Sequence, residues 1–450
     1  MKKGLILEER IVMMKMEEDY DELLNSIEND EKQCVKAELI PPRGEWWNHP
    51  DTWEFIIAEE SNIPVWFLAN QKEYEQKFRE KVTKWWHKHC IVNNNRQVQY
   101  YDHGYYLLKG CEYVNLSGDV IVRCDSCEIL SVSDCVSIKK LVASNINDMS
   151  GNAEIKDMSD SFILKMRNAA GIGNCTESLI EEMKEDAHIL NLKNSKIHEM
   201  YDHSCVYKMQ GSSEILMMTQ NAKIETVMDQ SIVCDMYGKA YIETASDAAI
   251  IHRMHCHSSV GCIRGTVRIS EMTGDARVNE AEYHSAVNSM QDCAIIDSMK
   301  NASFVRKVHD NASVFHLEDD ARIFELGDHA QIIKMVGRSC ISRMMDDSHV
   351  LSMEDESKIY TVTDKAHVSN IFNDGKIVLL KDHAWVINMK HHSIIKEANG
   401  NSCVENMHDF SMIRQLFDHS SINKMYDDAL AVNMETGKII VSKDFELEKM

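Results

Sequence analysis

From Ile197 to Ile422 every ninth residue is Ile or Val, 26 times in a row without a gap. Three residues after each comes an apolar side chain, most often Met, as at Met200, Met209 and Met218. Two residues further on, Asp, Gly or Asn fills 22 of the 26 units, as at Asp202, Gly211 and Asp229. Seven residues after the Ile or Val comes Ala or Ser in 24 of 26, Val267 and Gly375 being the exceptions. Each slot has a physical reading. The small residue and the next Ile or Val are two apart, so on a strand they share a side. β-Branched residues suit a buried, pleated position. Asp, Gly and Asn tolerate the left-handed backbone of a tight turn. One strand-and-turn of nine residues cannot bury its own apolar side, whereas stacked copies can, and stacking makes a solenoid.

The upstream repeats show how the coil closes. Ile121, Ile129, Ile138, Ile146, Ile155, Ile163, Ile172, Ile180, Ile189 and Ile197 are separated alternately by eight and nine residues. Alternation implies a 17-residue period with two unequal sides, lengthening to 18 beyond Ile197. The expected fold is therefore mostly β: a two-sided parallel β-solenoid of 17–18 residues per coil and roughly 18 coils, with a small N-terminal α/β or α-rich cap. A three-sided coil of 27 residues fits the alternation less well.

The chain changes character near residue 115. All four prolines lie at or before Pro64, and six of the seven tryptophans at or before Trp86; only Trp385 lies beyond. The expected organisation is residues 1–115 as a Trp- and Pro-containing mixed domain or cap, 116–442 as the solenoid, and 443–450 as a tail or cap. Within the first part, residues 7–30 suit a helix by composition. Tyr74, Phe78, Val82, Trp85 or Trp86 and His89 recur at helical spacing and mark one apolar face over residues 71–89. Residues 97–108 are β-prone. The tryptophans read as a compact core, with a ligand pocket as the alternative.

The unit of Ala/Ser, Ile/Val, Met and Asp/Gly resembles that of nonapeptide-repeat β-solenoid proteins, including uncharacterised Met-, Asp- and Ala-rich repeat proteins of gut bacteria and their phages. The resemblance covers residues 118–441 and implies architecture, not activity. Calcium-binding β-rolls also use nonapeptides, but with paired glycines and Gly-x-Asp turns that this chain lacks.

Charge changes the picture only slightly. The formal net charge is −23, from 49 Lys and Arg against 72 Asp and Glu. That balance opposes direct nucleic-acid binding, which needs a basic face. It admits the opposite idea, that an acidic solenoid mimics DNA. The charge is spread evenly, however, with 15 basic and 21 acidic residues in the first 115, and much of the acid falls where turns want Asp. Glu8, Glu9 and Arg10 interrupt the apolar stretch Leu5 to Leu7 near the N-terminus, and no apolar run is long enough to cross a membrane. Scattered cysteines read as reduced thiols of a cytoplasmic protein.

Candidate chemistry follows from the repeat register. Asp310, Asp328, Asp346, Asp364 and Asp382 are 18 apart and should form a ladder of carboxylates along one edge. Accepting turn N–H groups is the first reading, divalent-cation binding the second. Seven histidines, among them His203, His329 and His383, share one turn slot and read as solvated. Cys124 and Cys127 fall on inward positions, so packing outweighs a half zinc site. Phe315, Ile333, Leu351 and Ile387, with Trp385 beside the last, should form an outward apolar ridge, and Phe304, Phe324, Tyr360 and Val378 a weaker set opposite. Such a ridge suits an interface. No phosphate loop, nucleophile elbow or His-Glu-x-x-His is present. The expectation is a non-catalytic scaffold without cofactor that binds itself or a protein partner; DNA mimicry and an enzyme in the N-terminal domain are the alternatives.

Overall fold

In a computed structural model the chain is mostly β, a parallel β-solenoid of about 19 turns, and its few helices lie near the N-terminus. The structure describes residues 27–28, 34–35, 37–42, 48–57 and 63–442. Most of the expected helix over 7–30, Trp46 and Trp47, and the tail 443–450 lie outside these residues; Ile27–Glu28 is a short strand. The chain divides into two compact units, Met1–Glu182 and Met183–Met450.

In the first unit a short helix α1 (Val65–Ala69) leads into α2 (Gln71–His89). The apolar spacing read from the sequence is the buried face of α2: Phe78, Val82, Trp85 and His89. The first three join Leu39, Trp53, Phe67, Tyr105 and Leu107 in one cluster. Trp85 stacks on His89 and on Tyr105, and the His89 Nδ1 lies 2.6 Å from the Tyr105 carbonyl oxygen. Trp53 and Trp85 are thus core side chains.

Parallel pairing starts upstream of the composition boundary. Cys90–Val92 pairs with Leu107–Lys109, and Gln99–Lys109 with Val114–Asp125. From there each strand pairs with the second strand on in sequence, which puts two strands in every turn. Asn145–Met149 lies between Glu128–Val132 and Phe162–Met166, always 17 residues apart. One expectation needs correction. The inward column runs through Val122, paired with Ile138, and not through Ile121. Ile121 packs instead against the N-terminal cluster.

Within the second unit the spacing changes from 17, between His188 and Cys205, to 18, between Lys196 and Glu214. The difference is one residue in one turn. Short turns in the first unit, such as Ser159-Asp160-Ser161, omit the slot between the left-handed residue and the small one. Their serines close them. Ser144, Ser161 and Ser178 each donate to the carbonyl two residues back at 2.7 Å. Their oxygens also accept the N–H of the preceding coil's equivalent residue at 2.9–3.1 Å.

In the five-residue strands the second and fifth side chains are buried, and the third and fourth face out, as in Lys376–Leu380. The Ile/Val, Met and Ala/Ser slots therefore fill the interior. The turn slot adopts positive φ coil after coil. Gln220, Cys256, Tyr283 and His391, which break the Asp/Gly/Asn rule, still sit at 56–59°. Neighbouring coils thus impose the turn even where the side chain does not favour it. The last described strand, Ile439–Val441, turns back antiparallel onto Leu430–Val432.

Candidate functional site

The expected ridge lies on one outward face of the second unit. Its strands are Ser313–Leu317, Gln331–Met335, His349–Met353, His367–Ile371, Trp385–Met389 and Cys403–Met407. They stack in register, so Gln331, His349, His367, Trp385 and Cys403 form one row. Two slots further along each strand, Phe315, Ile333, Leu351, Ser369 and Ile387 form a second row, which ends at Glu405 in the last strand. Adjacent rungs are roughly 4.8 Å apart. Leu351 is 41% exposed, and Phe315, Ile333, Trp385 and Ile387 are half-buried against their neighbours. The fold brings all five predicted interface residues onto this face.

Two features of the face escape a search for apolar residues. First, the His349 and His367 rings stack at 4.1 Å, and His367 and Trp385 at 4.5 Å with only 1° between planes. The stack excludes water from ring faces, and the His367 Nδ1 is buried within it. Burial, and then the neighbouring His367, pushes the His349 pKa down to about 4; burial also lowers that of His367. Both rings are therefore neutral at pH 7. Second, Asn370, Asn388 and Asn406 form an amide ladder. Asn388 donates to Asn370 at 3.0 Å and Asn406 to Asn388 at 3.1 Å.

The turn edge of the same coils is built differently. The carboxylate of each coil's Asp accepts the N–H of the equivalent residue in the coil before. Asp310 donates to Asp328 at 3.3 Å, Asp328 to Asp346 at 3.2 Å and Asp346 to Asp364 at 3.5 Å. Asp310 accepts from Asp292 at 3.1 Å, and Asp382 accepts the Thr363 hydroxyl. All five aspartates have φ between 53° and 59°. The Asp310 N–H, then His309, lowers the Asp328 pKa; the Thr363 hydroxyl does the same for Asp382. The ladder is one of N–H acceptors. Among the described residues no set of three His, Cys, Asp or Glu is arranged to hold a metal.

Other candidates fall where the register puts them. His203, His257, His284, His329, His383, His392 and His419 are exposed at turns. Cys124 and Cys127 are buried. On the opposite face Phe324 and Tyr360 are exposed, with the Lys358 ammonium 4.0 Å from the Tyr360 ring centroid. That face also carries a buried carboxylate that no motif announced. Glu325 accepts from Arg343 at 2.6 Å and meets His309 Nε2 at 3.0 Å, with the Lys307 ammonium at 3.8 Å. Burial pushes its pKa up, but the Arg343 and His309 hydrogen bonds outweigh this and leave it lowered. Glu325 thereby gathers two cationic side chains, Arg343 and Lys307, around one carboxylate.

Comparison with protein-family models, with curated proteins and with solved structures finds no match. Among the described residues no helix is long and apolar enough to cross a membrane.

Proposed function

We propose that the chain is a non-catalytic scaffold that self-associates, or holds a protein partner, through the face built around Leu351, His367 and Trp385. One observation carries the reading. On this side the outward strand positions from Ser313 to Asn388 contain no Asp or Glu, in a chain of net charge −23. Two copies of so acidic a chain repel over most of their surfaces. Their approach is least opposed where carboxylates are absent and where Phe315, Ile333, Leu351 and Ile387 offer apolar area. Neutral stacked rings add apolar surface whose desolvation costs little, and interface cores are depleted in charge and enriched in aromatic residues. The turn carboxylates are engaged as acceptors of backbone N–H groups, which favours this reading over mimicry of a phosphate backbone.

Mass photometry over a range of concentrations tests it. The expected result is a population of dimers or larger species that grows with concentration and persists as salt is raised, since an apolar contact is not screened. A strict monomer at micromolar concentration would count against self-association.

A further inference from the structure

The short turns of the first unit share a column of small residues, and at its start the serines give way to cysteines. Lys109 pairs with Asp125 across neighbouring coils, so Cys111 lies opposite Cys127. Backbone bonds fix the stacking: Glu128 donates to the Cys111 carbonyl and Asn145 to the Cys127 carbonyl, both at 2.8 Å. Each thiol takes over the serine's task. The Cys127 Sγ donates to the Asp125 carbonyl at 3.3 Å, and the Cys111 Sγ to that of Lys109 at 3.6 Å, in each case two residues back. The Cys127 N–H meets the Ser144 hydroxyl, which continues the column. Both side chains are essentially inaccessible to solvent.

Residues stacked in a parallel ladder have Cα atoms roughly 4.8 Å apart. A disulfide needs about 4.4–6.8 Å. The column therefore presents two cysteines at a Cα separation that a disulfide can span, with no strand shift required. We infer that Cys111 and Cys127 are a latent disulfide pair, a modification site that staples the first coils of the solenoid when a disulfide oxidant is present. The step balances. One thiolate attacks the oxidant's S–S bond and expels a thiolate, leaving a mixed disulfide. The second cysteine, deprotonated, attacks the protein sulfur of that mixed disulfide and expels the other oxidant thiolate. The protein loses two hydrogens, and the oxidant becomes two thiols. Enclosure by neighbouring coils makes this slow, because exchange requires a thiolate and access. The neighbouring Cys127 thiol, then burial, pushes the Cys111 thiol up. For Cys127 the Cys111 thiol pulls the other way, but the Cys124 thiol and burial outweigh it and push the Cys127 thiol up to about 12. Reaction therefore waits on opening of the end coils.

Cys124 competes for the same partner, since its thiol also reaches Cys127. It differs in place: it occupies a strand position, paired across the ladder with Leu108 and Leu141, and is separated from Cys127 by the corner at Ser126. The stacked partner is Cys111.

The test incubates the full chain with oxidised glutathione at mildly alkaline pH. Free thiols are then alkylated under denaturing conditions and peptides mapped by mass spectrometry. The expected product links Cys111 to Cys127, two hydrogens lighter, with a raised unfolding temperature because the closed loop constrains the unfolded chain. Cys111→Ser removes the product and Cys124→Ser keeps it. Both variants should fold, since serine is the residue the rest of the column uses at the first site and the second substitution is small; circular dichroism checks this. Recovery of both cysteines fully alkylated after prolonged oxidation would overturn the inference, as would a Cys124–Cys127 linkage or a product that survives Cys111→Ser.

Discussion

The turn edge from Asp310 to Asp382 and the strand face from Ser313 to Asn388 belong to the same coils, yet they use their side chains in opposite ways. On the edge a carboxylate is tied to the backbone of its neighbour, and φ near 55° explains why Asp recurs there. On the face no carboxylate occurs, and rings and aliphatic chains stand in rows with Leu351 turned to solvent. The charge that dominates the composition therefore belongs to the architecture. The feature left without an architectural task is the carboxylate-free face, and that difference is the reason for placing the proposed contact there.

The largest expected separation between the two regions is in stability. Asp346→Ala removes the carboxylate that accepts the Asp328 N–H and leaves a Cβ-bearing residue at φ 59° without local hydrogen-bonding help. The expected cost is about 1–2 kcal/mol, read by denaturant unfolding, with association unchanged. A face substitution such as Ile333→Ser should cost less than about 1 kcal/mol while weakening association. If the edge variant weakened association and the face variant did not, the comparison would be reversed.

A smaller effect separates the regions by pH. The His349 pKa is depressed from 6.5 to about 4 in the folded chain. Above about pH 6.5 the ring is neutral in both folded and unfolded states. As pH falls from there toward 4, the unfolded state takes up the proton first, so stability declines across that window and levels off below it. Gln331, His367 and Ser369 face this ring, and Asp347 acts on His367. His349→Gln should flatten the dependence of the unfolding midpoint on pH over this window. An unchanged slope in the variant would show that the stack is not its source.

The smallest effect expected is none. Since the ladder aspartates already accept hydrogen bonds, calcium added in millimolar excess should leave the unfolding temperature unchanged and give no heat by isothermal titration. A saturable heat would show that the edge binds cations and is more than architecture.

Much of this architecture is legible in the order of residues alone. Strict nine-residue spacing of Ile197, Val206, Ile215 and their successors fixes inside and outside, and the eight–nine alternation fixes two strands per turn. The ladder from Asp310 to Asp382 is legible because one turn geometry repeats. The start of the solenoid is not. Cys90–Val92 and Gln99–Lys109 already pair in parallel, which brings the total to about 19 turns rather than 18, but these segments carry no Ile/Val column. Ile121 and Val122 are adjacent and both β-branched, so spacing alone cannot choose between them. On the face, counting apolar residues finds Phe315, Ile333, Leu351, Trp385 and Ile387 and misses His349 and His367. Their signal is an 18-residue step, His349, His367, Trp385, in the slot before Val. Asn370, Asn388 and Asn406 repeat at the same step. Polar residues that stack become visible only when the coil period is applied to every slot.

The central claim is that the carboxylate-free face is the contact surface. Sedimentation velocity on the wild-type chain and on Leu351→Lys/Ile387→Lys, at matched concentrations, tests it most directly. The account predicts that the wild type associates, that the double variant sediments as a monomer, and that both unfold at the same temperature to within about 3 °C. Association of the double variant equal to that of the wild type would contradict it.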